Sequence, residues 1–269
     1  MDYYDVTAPG APLTGKEKSV ADLARPDERI RHYAGYSVEE LQAAFIHIDK
    51  TLGPKMPEEI VKRLAVAKNL AVYGWFQWEF FTVSLFWSLS TIEMALKQKL
   101  VERFGGTFNL VKKSDRRTLV GSFEQLEEHL RDWWRIDGLP RFNGSFRSLL
   151  AWARDESVLA ADTPVVLQEL RHRFNNRFPL EIFPERARAD GLLTSADPTI
   201  ADIKTLWESL SETQRAKYQY RSIDVLVEEV PDLRNRLAHP ASFNMTLIVR
   251  SAVEGYAQAV EIVNRLWPK

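Results

Sequence analysis

The chain has 269 residues, 45% of them apolar and 11% aromatic, ample for a buried core in one large domain or two small ones, which excludes disorder as the dominant state. With 36 Lys and Arg against 37 Asp and Glu the formal charge is −1, so bulk charge does not hold it to nucleic acid, and any RNA or DNA site must be local. No cysteine is present, which removes disulfides, thiolate nucleophiles and Cys-ligated metals and fits a reducing compartment, the cytoplasm by default.

Residues 1 to about 35 are rich in Pro, Gly and charge and read as an arm, and the acidic start Met1-Asp2-Tyr3-Tyr4-Asp5 reverses the basic-then-apolar order of a signal peptide. Ser37 followed by Glu40 is a capping box that opens a short helix to about Asp49. Leu52-Gly53-Pro54-Lys55-Met56-Pro57 breaks the chain, and Pro57 with Glu58 and Glu59 behind it suits a helix first turn. From there to Phe104 only Gly74 opposes helix, so the stretch is one very long helix or two in sequence. Within it, residues 70–89 are long enough to cross a membrane but hold Gln77 and Glu79 at their middle. A central carboxylate costs roughly 2.5–3.5 kcal/mol on insertion, so a buried helix and no membrane are expected. The aromatics Tyr73, Trp75, Phe76, Trp78, Phe80, Phe81, Phe86 and Trp87 have no basic residue among them, which favours core or dimer interface over base stacking. Leu85, Leu89, Ile92, Leu96, Leu100 and Phe104 then recur at helical steps until Gly105-Gly106.

Three shorter helices are expected over about 122–135, 145–159 and 164–176, then a loop-rich insert over 179–198, then a helix over about 199–215. Arg171, Arg173, Arg177, Arg186 and Arg188 set five cations in eighteen residues against Glu181 and Glu185. This is the best local place for an RNA backbone, with an ordinary salt-bridged face as the plainer reading. Leu170-Arg171-His172-Arg173-Phe174-Asn175-Asn176 aligns without gaps on Leu233-Arg234-Asn235-Arg236-Leu237-Ala238-His239, with Asn176 where His239 stands. The last two helices are the most periodic in the chain: Ile223, Leu226, Val230, Leu233 and Leu237, then Ile248, Ala252, Tyr256, Ala259, Val263 and Leu266. A short turn at His239-Pro240 makes them an antiparallel pair. No stretch alternates convincingly as a strand, so the expected fold is all-α. It is an antiparallel helical bundle of 57–104 and 199–269, with an arm and short helix over 1–56 and an inserted helical and loop segment over 105–198.

Five scattered histidines without an H-E-x-x-H pattern give no metal site, and no glycine-rich strand–helix junction suggests a cofactor. What remains is Arg234-Asn235-Arg236-Leu237-Ala238-His239-Pro240 at the end of the penultimate helix. Asn235 and His239 are four apart and share a helical face, while Arg234 lies about 140° round from His239. Proline disfavours helical backbone at the residue before it, so His239 should leave the helix. Arg234 borders the apolar stripe and needs a partner, which a second chain would be one way to supply.

In its Arg, following Asn and later His between two long helices, the sequence resembles the HEPN superfamily, and the helix around Glu93 and Lys97 looks like that family's earlier long helix. The resemblance covers the bundle only. It implies a symmetric dimer with paired Arg and His residues at one cleft, acting as a metal-independent endoribonuclease of the defence or toxin type, for which a neutralising partner protein is to be considered. His239 would move the proton, Arg234 would hold the phosphate, Asn235 would orient His239 or touch the phosphate, and Glu93 would support the site or simply pair with Lys97. A non-catalytic HEPN-like protein that binds nucleotide or RNA, or serves as a scaffold, is the alternative the resemblance leaves open.

Overall fold

Ser37 opens a helix as its spacing predicts. Its Oγ accepts the Glu40 N–H at 3.1 Å and the Glu40 carboxylate accepts the Ser37 N–H at 2.6 Å, starting α1 (Val38–Asp49). The computed structural model describes residues 25–27, 30, 37–112, 116–195, 198–239 and 249–269 and is mostly helical. The expected arm over 1 to about 35 lies almost wholly outside the described residues. The long stretch that follows is two helices, α2 (Glu58–Tyr73) and α3 (Glu79–Arg103). Gly74 ends the first because the Phe81 ring lies against it: a Cβ there would sit 2.7 Å from the ring. Among the described residues no helix is long and apolar enough to cross a membrane.

Helix α3 is the axis of the bundle. Its Ser84 hydroxyl donates to the Ala67 carbonyl of α2 at 2.7 Å, and on another face it meets the last helix, α11 (Val249–Leu266). Gly255 sets that crossing, since a Cβ would lie 2.1 Å from Leu85 Cδ1. Tyr256 beside it stacks edge-on against Phe45, and its hydroxyl donates to Asp49, which also pairs with Lys68 at 2.6 Å. One carboxylate thus ties α1, α2 and α11 together.

After Gly105 and Gly106 the expectation of no strands is corrected. β1 (Phe108–Val111), β2 (Arg117–Val120) and β3 (Arg135–Ile136) form an antiparallel sheet in the order β2-β1-β3. Phe108 stands opposite Val120 and Leu110 opposite Ile136, all four buried. The other face carries Asn109, Val111, Arg117, Leu119 and Arg135. The helix expected over 122–135 ends early, as α4 (Phe123–Arg131), where the chain turns back into β3. Next come α5 (Phe146–Asp155), capped by Ser145, and α6 (Gln168–Arg177).

Much of the 179–198 insert is helical rather than loop. A π-helical turn (Phe178–Ile182) runs into α7 (Phe183–Ala189), with Pro179 and Pro184 in the first turns of these segments, where a missing N–H is tolerated. The helix expected over 199–215 is two, α8 (Ile200–Ser209) and α9 (Glu212–Tyr218), capped by Thr199 and Ser211. Phe183, Ala187, Ile203, Leu210 and Tyr218 form a satellite core, so residues 200–218 pack on α7 of the insert and the expected boundary at 199 falls before both helices. Phe178 packs against this core and the main one. Helix α10 (Ser222–Ala238) returns to the bundle between α3, α5 and α6. The turn expected at His239-Pro240, from Pro240 onward, and Ile248 with it, lie outside the described residues.

Candidate active site

Helix α10 is buried on several faces, and charged groups on it are met by arginines from the insert. Asp224 accepts from Arg221 at 3.0 and 3.2 Å and from Arg154 at 3.3 Å. Burial alone would raise its carboxyl, but the Arg221 hydrogen bonds and the charges of Arg221 and Arg154 outweigh this and hold it below the ordinary aspartate value. One and a half turns on, the fully buried Glu229 accepts from Arg173 at 3.1 Å and from Arg177 at 2.7 Å. Asp232 accepts from Arg173 too and pairs with Arg236 at 3.1 Å. These contacts clamp α6 onto α10 just ahead of the Arg-Asn motif.

The clamp corrects the reading of the five arginines as one cationic surface. Arg173 and Arg177 turn inward and are consumed by Glu229, Asp232 and Glu181, and Arg188 donates to the Ser195 carbonyl at 3.2 Å. Arg171 is exposed on α6, and Arg186 is half-buried on α7. The echo segment 170–176 is part of the clamp: Leu170 and Phe174 are core residues.

At the motif itself, Arg234 finds its partner inside the same chain. Its Nη2 donates to Glu93 Oε2 at 2.7 Å, and its guanidinium lies 5.7 Å over the Phe86 ring. Val83, Phe86, Ser90, Glu93 and Lys97 follow one another at steps of three and four on α3, so they line a single strip of that helix. The other Glu93 oxygen lies 3.4 Å from Lys97, which also pairs with Glu127 of α4 at 2.8 Å and sits 5.0 Å over the Phe123 ring. The chain Arg234–Glu93–Lys97–Glu127 alternates in sign and joins α10, α3 and α4. Glu93 and Lys97 were visible in the sequence as a spaced pair, but Glu127 and Phe86 carried no sequence signal linking them to Arg234.

No family model matches the chain, no curated protein is similar to it, and no solved structure matches it. The site has to be judged on its own geometry.

Asn235 turns towards Arg234 rather than His239: its Oδ1 accepts from Arg234 Nη1 at 3.1 Å. Of the five donors of the guanidinium, one from each terminal nitrogen is thereby engaged, while the buried Nε–H meets no acceptor among the described residues. His239 leaves the helix as the following proline predicts, with φ −125° and ψ 67°, and its N–H donates to the Arg236 carbonyl at 3.1 Å. Its ring is exposed beyond the end of α10. The result is a fixed cation oriented by Glu93 and Asn235, with the exposed residue His239 five positions further on. Among the described residues no group of three or more His, Asp and Glu is placed to hold a metal ion.

Proposed function

We propose that the chain is an endoribonuclease of the HEPN type that cuts RNA without a metal ion, working as a symmetric dimer. The observation that carries this reading is the guanidinium of Arg234, held by Glu93 and Asn235 at the helix end from which His239 projects. An imidazole to carry protons and a positioned cation are the two groups that cleavage by the RNA's own 2′-hydroxyl requires. The 2′-oxygen attacks phosphorus, the bond to the 5′-oxygen breaks, and His239 moves the proton to or from these oxygens. Arg234 neutralises the charge that builds on the phosphoryl oxygens. The products are a 2′,3′-cyclic phosphate and a 5′-hydroxyl.

The exposed Val83 and Phe80 next to Phe86 on α3 support a second copy packing beside the motif, since exposed apolar side chains adjoining a charged site favour an interface. The test is cleavage of end-labelled RNA in EDTA by wild type, His239→Ala and Arg234→Ala. Wild-type cutting that both substitutions reduce by at least about a hundredfold, with the fold retained, supports the enzyme. Products ending in 5′-phosphate, or cutting only with a divalent ion, would overturn it. RNA binding without cutting would instead make the protein a non-catalytic HEPN-like binder.

A further inference from the structure

The outer face of the small sheet combines features that the sequence did not advertise. Across the three strands Arg117, Val111 and Arg135 stand side by side in register, with Asn109 opposite Leu119 one pair along. Leu119 is 61% exposed. A cavity of about 310 Å³ at the β1–β2 pair is lined by Asn109, Leu110, Val111, Arg117, Thr118 and Asp137. Arg117 lines it, Arg135 stands across Val111 from Arg117 on the same face, and neither is ion-paired with a described residue. This is the reverse of Arg173 and Arg177, whose charge is spent internally.

Trp133 decides what such a surface is for. It occupies the position after the C-cap of α4, where the Trp134 N–H returns to the His129 carbonyl at 3.2 Å and the Trp133 N–H to Leu130 at 3.3 Å. That closing turn requires a left-handed residue and ordinarily takes glycine. Here a tryptophan adopts φ 65° and leaves its side chain 74% exposed. Backbone strain and exposure of a large apolar ring both oppose folding, so neither is explained by stability. The Arg135 guanidinium lies 5.9 Å over the Trp133 ring and leaves the other side to solvent, and Lys112 lies 5.5 Å over the neighbouring Trp134.

We propose that this face binds single-stranded RNA, with a base stacked on Trp133 and the backbone running along Arg135 and Arg117. A flat exposed ring set among unpaired cations is the recognition chemistry of single strands, in which stacking tolerates any base and the cations follow the phosphates. The choice of RNA over an acidic protein rests on the ribonuclease reading above. The platform is also close to the site: Lys97, which pairs with Glu93, holds Glu127 and Phe123 on α4, and Trp133 ends the turn at the other end of that nine-residue helix. At 1.5 Å per residue the two are separated by roughly 13 Å along the helix.

The experiment uses the full chain carrying His239→Ala, so that RNA is bound but not consumed, and reads the anisotropy of a short fluorescein-labelled single-stranded RNA. Adding Trp133→Gly should weaken binding about tenfold, while Trp133→Phe keeps most of the affinity. The same glycine relieves the left-handed strain, so Tm should hold or rise by about 2–4 °C, an outcome a purely structural tryptophan would not give. Arg117→Ala with Arg135→Ala should flatten the salt dependence by about 1.4 log units per log unit of salt. Equal affinity of the Trp133→Gly protein and its parent overturns the proposal. So does Trp133-dependent binding of a labelled poly-glutamate peptide in place of RNA, which would assign the face to a protein partner. Wild-type cleavage with KM unchanged by Trp133→Gly would sink the platform and leave the nuclease standing. Trp133-dependent RNA binding with no cleavage would do the opposite.

Discussion

Replacing Glu229 by alanine tests the clamp that fixes the motif helix to the insert. The Glu229 side chain is 0% exposed, and its partners Arg173 and Arg177 are 11% and 28% exposed. Removing one member of a buried ion pair costs about 3–5 kcal/mol, because the remaining charge is left in a poor solvent. Two features pull the expectation to the low end of that range: Arg173 keeps Asp232, and Arg177 keeps Glu181 at 2.7 Å. The loss should be about 3 kcal/mol, which for a chain of this size lowers Tm by about 6–12 °C. Thermal unfolding followed by circular dichroism measures it. Glu229→Gln keeps the volume and an acceptor and should lose about half as much. A double-mutant cycle with Arg173→Ala should return a coupling of about 1–3 kcal/mol. Because these groups are shielded from ions, the loss should persist in high salt. A drop of less than about 2 °C for Glu229→Ala would refute the reasoning, and Arg173 and Arg177 would then have to be counted as available for a ligand.

Gly255→Ala should destabilise although alanine is the better helix former by about 1 kcal/mol. Its Cβ would meet Leu85 Cδ1 at 2.1 Å, and parting the two helices costs about 1–3 kcal/mol; chemical denaturation should show the loss, and Leu85→Ala in the same chain should recover part of it. The Asp224 carboxyl is held below its ordinary value in the fold, so its contribution is present above the unfolded value and is lost as pH falls through the folded one. Wild type should therefore be more stable than Asp224→Asn at neutral pH, with the gap closing below about pH 4. A gap that stays constant down to about pH 3 would show that the Arg221 and Arg154 contacts do not act through charge.

The helices were legible wherever one face is apolar and the ends carry caps. Ser37 with Glu40, and the recurring leucines from Leu85 to Leu100, needed nothing beyond the chain itself. The strands were not, because two have four residues and one has two, and on the outer face Val111 and Leu119 stand where polar residues would have exposed the alternation. Pro179 and Pro184 suggested loop because a proline in a first helical turn looks the same in sequence as one in a bend. At the site, local spacing anticipated the exit of His239 from α10, which Pro240 dictates. It left Asn235 between His239 and the phosphate and did not anticipate the adjacent Arg234 as the donor to its Oδ1. Arg234 announced its need for a partner but not which: Glu93 is 141 residues away, and only the packing of α10 on α3 brings them together.

The ring of Phe178 belongs to two cores at once. On one side it joins Phe174 and Tyr220 in the bundle, and on the other Phe183 and Trp207 in the satellite. The satellite, built on five buried side chains, is the smaller core and is expected to open before the bundle. Amide hydrogens of α7, α8 and α9 should then exchange in openings that leave α3, α10 and α11 closed. Damage confined to that layer would be tolerated by the bundle, and a protease could trim it while the Arg234 site stayed assembled.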